Sequence, residues 1–167
     1  MSDLNLIVPE VFAAEKQVLE GAVKLGSLDE RVSSNEYLAD RGADVFFTLK
    51  GGQDRLGRPF LDLGLKADLL LVCQRCLKPM PFALREMSRI VLFSNEESLD
   101  KAMLADDELE GMLSEPELDV GVLVEDQILM ALPFSPRHEH CDNAQLDAAS
   151  RDKSNPFAAL AGLKGSS

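Results

Sequence analysis

The chain has 167 residues, of which 46% are apolar and 28% are charged, so it can bury the core of one domain and still carry a tail. Its formal net charge is −12, which argues against a general affinity for nucleic acids. Only 5% of the residues are aromatic and tryptophan is absent, so the composition predicts no aromatic platform for stacking bases.

The sequence predicts a cytoplasmic protein. Its opening residues, MSDLNLIVPEVF, lack a basic segment before an apolar stretch, so we expect no signal peptide. The longest apolar run, residues 69–73, is far too short to cross a bilayer. Three cysteines, an odd number without a secretion signal, are typical of a reducing compartment rather than of a disulfide framework.

The N-terminal segment is predicted to hold two helices. Pro9 and the EVFAAEKQVLEGAVKL that follows favour a helix, because apolar side chains recur at helical spacing after a proline in the first turn. Gly21 and Gly26 are expected to end this helix and to introduce an extended piece. Ser27 with Glu30 three residues later has the capping-box pattern, which predicts a short second helix.

A long β-hairpin is the clearest feature of the middle of the chain. ADVFFTLKG alternates apolar and polar residues as a strand does, and GGQDRLGR is predicted to be a loop. PFLDLGLKADLLLVC then places seven residues on one face: Leu61, Leu63, Leu65, Ala67, Leu69, Leu71 and Cys73. MPFALREMSRIVLFS is the returning strand, whose inner face is predicted to hold Phe82, Leu84, Ile90 and Leu92.

An acidic connection follows the hairpin. Residues 94–127 hold 12 acidic side chains and one basic side chain, and residues 94–118 have only scattered apolar residues, so we expect a partly mobile loop there. The next segment, residues 119–132, is predicted to be a helix with Asp119 as its N-cap and Pro133 as its end.

The predicted fold class is therefore α+β. An antiparallel sheet is built on the hairpin at about residues 59–93, with flanking helices. Residues 1–141 form the single domain, with residues 94–118 as an acidic insertion. Residues 142–155 are a polar linker, and residues 156–167 form a short apolar C-terminal tail.

Soft metal ligands occur in two short segments. Cys73 and Cys76 have the C-x-x-C spacing that lets one turn wrap around an ion, and Cys141 comes with two histidines about 60 residues later. Three cysteines and one histidine would complete the tetrahedral set of a structural zinc site. His138 is preferred as the fourth ligand because it is three residues from Cys141, and His140 is the alternate ligand.

Two other interpretations of the cysteines stay open. A thioredoxin-type redox pair needs a strand-to-helix context, whereas Cys73 and Cys76 lie between two predicted strands. Buried cysteines without a ligand are also common in protein cores. No nucleophilic dyad, phosphate-binding glycine loop or distinct carboxylate pair is recognised, so the sequence predicts no active site.

Four basic residues surround the cysteine turn and are candidates for contact with RNA or a partner: Arg75, Lys78, Arg85 and Arg89. The opposing interpretation is that they only make the exposed faces soluble. NPFAALAGLK is an apolar segment after a polar linker, so it could dock on a partner or pack on its own domain.

The sequence also resembles a known family. VCQRCLKPMPF, LVEDQILMALPFSPRHEHC and NPFAALAGLK, in this order, are similar to blocks of the bacterial large ribosomal RNA subunit accumulation protein, the YceD family. By position, Cys73, Cys76, His138 and Cys141 match the family's cysteines and later histidine. Asn155, Pro156 and Phe157 match the start of its tail.

The resemblance implies a non-enzymatic role in the synthesis, processing or stability of 23S ribosomal RNA, with no established catalytic activity. The implied partner is pre-ribosomal large-subunit RNA or a large-subunit ribosomal protein. Two alternatives are an acidic chaperone or adaptor for a basic large-subunit ribosomal protein and, disfavoured, a thiol- or metal-dependent enzyme. The implied cofactor is at most one structural zinc.

Overall fold

The computed structural model describes residues 6–141, which hold seven strands and four helices. The strands are β1 (Leu6–Ile7), β2 (Val18–Lys24), β3 (Asp44–Gln53), β4 (Pro59–Val72), β5 (Pro79–Phe93), β6 (Glu110–Leu113) and β7 (Leu118–Asp119). The helices are α1 (Pro9–Ala14), α2 (Glu30–Ser33), α3 (Glu96–Ala105) and α4 (Val120–Ala131). The predicted linker at 142–155 and tail at 156–167 lie outside the described residues.

One five-stranded sheet organises the domain and confirms the α+β prediction. Its strand order is β2-β3-β4-β5-β6, and neighbouring strands are antiparallel except for the parallel pair β5–β6. Strands β1 and β7 form a separate antiparallel pair. None of the helices within residues 6–141 is long and apolar enough to cross a membrane.

The predicted hairpin is the backbone of the sheet. Strands β4 and β5 pair in one continuous register from Phe60 opposite Val91 to Val72 opposite Pro79. Side chains alternate between the two faces of a strand, so the apolar set of β4 lies on one face, and all seven of its residues are buried. Leu84, Ile90 and Leu92 are buried opposite them, and Phe82 is half-buried.

Helix α4 covers this apolar face and confirms the helix that was predicted at residues 119–132. Val120, Val124 and Ile128, at helical spacing, are fully buried in the same core as β4. The Asp119 side chain accepts a hydrogen bond from the Gly121 amide at 2.8 Å, so it caps the helix as predicted. The helix ends at Ala131, two residues before Pro133.

Asp119→Ala is expected to lower the free energy of unfolding by about 1 kcal/mol, because the substitution leaves an N-terminal amide of α4 without its acceptor. Urea unfolding followed by circular dichroism measures this change. Asp119→Asn is the matched control, since asparagine caps helices as well as aspartate does, and it should retain nearly wild-type stability. Equal losses in the two variants would contradict a capping role.

The N-terminal half departs from the prediction. Helix α1 ends at Ala14, and the extended piece that was predicted to follow the helix at Gly21 begins already at Val18, as the edge strand β2. Lys16 has a positive φ of 52°, which turns the chain out of the helix. The residues of β2 pair one for one with β3, so backbone bonds to a distant strand outweigh the local helical spacing.

The cap of the second helix was also predicted two residues too early. Ser27 lies in a 3₁₀ turn, where its hydroxyl donates to the Lys24 carbonyl. Asp29 caps α2 instead, because its carboxylate accepts the amide hydrogen bond of Arg31. A second acceptor holds the same turn, since Glu125 of α4 accepts the Asp29 amide at 2.9 Å. This tertiary contact fixes the start of the helix.

The acidic segment at 94–118 is not the irregular loop that its composition predicts. It forms α3, capped by Asn95, and then β6, which extends the sheet parallel to β5. Leu99 of α3 and Phe93 of β5 both approach Gly111 of β6, so the helix contacts the edge of the sheet at this glycine. Strand β3 likewise runs through Gln53, over glycines that were predicted to be in the loop.

Candidate metal centre

The tip of the hairpin is a tight turn that carries the first two cysteines. Cys73 follows the last residue of β4, its amide donates to the Lys78 carbonyl at 3.0 Å, and its carbonyl accepts the Leu77 amide at 2.8 Å. Leu77 has a φ of 60°, in the left-handed region. The turn therefore curls the backbone around the Cys73 sulfur, which is buried.

The segment after α4 brings the other two residues to the same place. The Pro136 carbonyl accepts a hydrogen bond from the Gln74 amide at 2.8 Å, which joins the two segments through their backbones. The His138 amide then points to the Cys73 sulfur at 3.4 Å. These two contacts set the position of the chain from His138 to Cys141 over the turn.

Four side chains converge there. The sulfurs of Cys73, Cys76 and Cys141 and a ring nitrogen of His138 all lie within 4.8 Å of one another. The Cys73 and Cys141 sulfurs are 3.4 Å apart, and His138 Nδ1 lies 3.3 Å from the Cys76 sulfur and 3.7 Å from that of Cys141. His140, the alternate ligand, is exposed and does not belong to this group.

This geometry fits the tetrahedral coordination of one metal ion. Ligands at the usual zinc distances stand about 3.8 Å apart between two sulfurs and about 3.6 Å apart between sulfur and nitrogen. The three separations given above lie within a few tenths of an ångström of these values, and the other pairs of ligand atoms are at most 4.8 Å apart. Three thiols and one imidazole are also the donors that zinc prefers. The four side chains are therefore close enough, and of the right chemistry, to bind a metal ion.

The electrostatics of the site favour a thiolate at Cys73. Burial raises the pKa of this thiol, but amide hydrogen bonds from Cys76, His138 and Arg75, together with a contact to Cys141, outweigh burial and lower the pKa to about 5. Burial raises the pKa of Cys141, and the adjacent sulfurs of Cys73 and Cys76 raise it further. One preformed thiolate beside a protonated thiol would attract a cation.

The base of the turn has a support that sequence patterns did not reveal. Residues 37–39 run beside the C-terminal end of β4, beyond Lys66, where the pairing of β4 with β3 ends. The Tyr37 carbonyl accepts the Val72 amide at 2.7 Å, and the Ala39 amide donates to the Leu70 carbonyl at 2.9 Å. Leu38 is buried opposite Leu71. No periodic pattern marks so short a segment, which explains the omission.

The four basic candidates fall into two pairs. Arg89 binds both carboxylate oxygens of Asp62, at 2.7 and 2.8 Å, and lies over the ring of Phe60. Arg85 donates to Asp68 at 2.8 Å and to the Ala67 carbonyl at 2.7 Å. Both arginines therefore link β5 to β4 through their side chains.

Arg75 and Lys78 lie instead on the exposed turn beside the cysteines. Contact of any of the four basic residues with RNA or a partner stays a prediction. The tail residues Asn155, Pro156 and Phe157 lie outside the described residues.

Comparison with known proteins supports the resemblance seen in the sequence. A sequence model of the family described as large ribosomal RNA subunit accumulation protein YceD matches residues 61–164. No solved structure was found to match the chain. The matched region contains all four residues of the cysteine–histidine group and well over half of the chain. The chain therefore belongs to the YceD family of large ribosomal RNA subunit accumulation proteins.

Proposed function

We propose that the protein is a non-enzymatic factor of ribosome biogenesis that promotes the synthesis, processing or stability of 23S ribosomal RNA. The observation that carries this proposal is the match of residues 61–164 to a family described by its role in accumulation of the large-subunit RNA. The partner would be large-subunit precursor RNA or a large-subunit ribosomal protein, and the place of action would be the cytoplasm, where bacterial ribosomes assemble.

The proposal assigns a structural role to the metal centre. Cys73, Cys76, His138 and Cys141 would hold one zinc ion and so tie the hairpin tip to the segment after α4. What supports a structural role is that all four ligand positions are filled by protein side chains, whereas catalytic zinc keeps one position open for water or substrate. Strand β4, α4 and the turn between β4 and β5 would then move as one unit.

A second candidate function is a chaperone for a basic large-subunit ribosomal protein. The observation that favours it is the placement of α3, which lies on the edge of the sheet without burying any of its residues. Its acidic side chains and those of residues 106–110 are exposed. Reversing the acidic residues at 106–110 should weaken binding to such a protein at low salt if this function is correct.

Loss of the protein is expected to lower the ratio of large-subunit to small-subunit ribosomal RNA in cells. Wild-type protein should restore this ratio, whereas Cys73→Ser/Cys76→Ser should not, because the variant lacks half of the proposed ligand set. Quantification of total RNA on denaturing gels measures the ratio. A ratio that stays normal in cells without the protein would remove the proposed function.

A further inference from the structure

The exposed end of the hairpin combines apolar and basic side chains in a way that neither the metal centre nor the core explains. Five residues from the two joined segments form it, and we name them the tip surface: Arg75, Leu77, Lys78, Phe134 and Arg137. All five are exposed, and its two apolar residues, Phe134 and Leu77, have exposed fractions of 98% and 71%. The backbone bond between Gln74 and Pro136 places both segments side by side.

The conformation of the turn presents Leu77 outward at a conformational cost. Its φ of 60° is unfavourable for any residue with a Cβ, and glycine is the usual residue at such a position. The amide of Leu77 is held by the Cys73 carbonyl, so the turn itself maintains this conformation. A large apolar side chain that is strained and exposed contributes little to the fold, which points to contact with something outside it.

Phe134 has the same character. It lies between Pro133 and Pro136, just after α4, and its ring contacts so little of the domain that 98% of the residue is exposed. The composition predicted no aromatic platform, and the tip surface contains a single ring. A single rigid ring held beside cations can still stack on one base.

The charge of the tip surface is opposite to that of the protein. It carries three basic residues, and Glu139 is the acidic residue next to its Arg137 end, whereas the whole chain has a net charge of −12. Within residues 6–141, neither Lys78 nor Arg137 forms an ion pair. These two side chains are therefore available to an anionic partner of this otherwise acidic domain.

We propose that the tip surface binds unpaired nucleotides of RNA, with Phe134 stacked on a base, Leu77 against a neighbouring base or ribose, and Lys78 and Arg137 on phosphates. This inference rests on the proposed function, since it names RNA as the direct partner. The isolated ring selects unpaired over duplex RNA, because a duplex presents no open base face. The acidic remainder of the domain repels the flanking phosphates, so the contact is short. Its affinity falls with salt only as steeply as the few phosphates bound by Lys78 and Arg137 require.

The test is fluorescence anisotropy of zinc-loaded full-length protein with a short unstructured oligoribonucleotide and with a duplex of the same length. Phe134→Ala should weaken binding of the single strand about tenfold, as expected for loss of one stacked base. Lys78→Glu/Arg137→Glu should weaken it further and flatten its salt dependence. Leu104→Ala is the matched control, since Leu104 is 85% exposed on α3, away from the tip, and it should bind as the wild type does.

Three outcomes would overturn the inference. They are absence of RNA binding by the wild type, equal binding by wild type and Phe134→Ala, and preference for the duplex. If the wild type does not bind RNA, binding of a ribosomal protein by the wild type but not by Phe134→Ala would assign the tip surface to a protein partner. Circular dichroism confirms folding, which the exposure of Phe134 predicts to be unaffected.

The RNA ratio in cells separates the inference from the proposed function. If cells without the protein lose large-subunit RNA, and Phe134→Ala restores it with unchanged RNA binding, the inference fails and the function stands. If cells without the protein keep a normal ratio, the function fails whatever the binding assay shows.

Discussion

Removing zinc from the purified protein is expected to lower its free energy of unfolding by about 4 kcal/mol, which is the stabilisation that an ion supplies when its free concentration is 1,000 times its dissociation constant. The physical reason is that the metal bonds would join two segments more than 60 residues apart, at a place where Cys73 is completely buried. Urea unfolding with and without a chelator measures the change, and elemental analysis should find one zinc per chain.

Two neighbouring histidines provide a matched pair for this experiment. His138→Ala should lose the zinc and most of the stabilisation, because its Nδ1 lies 3.3 Å from the Cys76 sulfur within the ligand group. His140→Ala should retain both, because His140 is exposed and outside that group. The pair differs only in position along one short segment, so general effects of removing an imidazole cancel.

The same data decide among the interpretations of the cysteines. Chelator without effect, and no zinc in the purified protein, would support buried cysteines without a ligand. Zinc retained by His138→Ala but lost by His140→Ala would assign the fourth ligand to His140. Loss of zinc with stability unchanged would contradict a structural role, because an ion that binds only the folded state must stabilise it.

The chelated protein should still keep its sheet. Strand β4 and helix α4 share an apolar core whose members are buried independently of the metal, among them Leu61, Leu63 and Val124. Loss of the ion is therefore expected to loosen the hairpin tip and residues 133–141 first. Hydrogen exchange should show faster exchange at the Cys73 and Gln74 amides, whose acceptors lie in these segments, with the centre of β4 still protected.

Sequence patterns predicted the elements whose signals are local and long. The alternation over residues 61–73 fixes the buried face of β4, and the helical spacing with an aspartate cap defines α4, because each pattern repeats often enough to exclude the other period. The cysteine–histidine group was also predictable, since the chain has few soft ligands and they occur in two short segments.

Elements that depend on distant partners could not be predicted in this way. Strand β2 has helical spacing in its sequence and becomes a strand only because β3 offers it a full row of backbone partners. Strand β6 is four residues long and pairs with β5, from which the acidic helix α3 separates it along the chain. The exposed ring of Phe134 was missed for another reason, since a lone phenylalanine between prolines carries no pattern at all.

Helix α1 lies on the sheet through a close contact between its backbone and β3. Gly51 of β3 lies directly beneath this helix, so that a Cβ placed on it would be 2.3 Å from the Phe12 carbonyl oxygen and 2.8 Å from the Ala13 Cα. Both atoms belong to the backbone, and no side-chain rotation can relieve the overlap. Gly51→Ala should therefore force α1 away from β3, with loss of about 2–3 kcal/mol of stability.

Gly64→Ala in the adjacent strand β4 is the matched control. Its Cβ would first meet the terminal methyl of Met87 at 3.2 Å, which is the end of a flexible and exposed side chain, and the next backbone atom, the Thr48 carbonyl oxygen, is 3.8 Å away. This variant should match the wild type or gain up to about 1 kcal/mol, because alanine restricts the unfolded chain more than glycine does.

Urea unfolding of both variants, with hydrogen exchange of the Phe12 amide as a local probe, measures the difference. The Phe12 amide donates to the Val8 carbonyl at 2.9 Å in α1, so its exchange should accelerate in Gly51→Ala and not in Gly64→Ala. Equal stabilities in the two variants would mean that α1 moves aside without cost. In that case the turn at residues 15–17 would have to change conformation. We expect it not to, because the Gly51 amide donates a hydrogen bond to the Gln17 carbonyl at 2.9 Å.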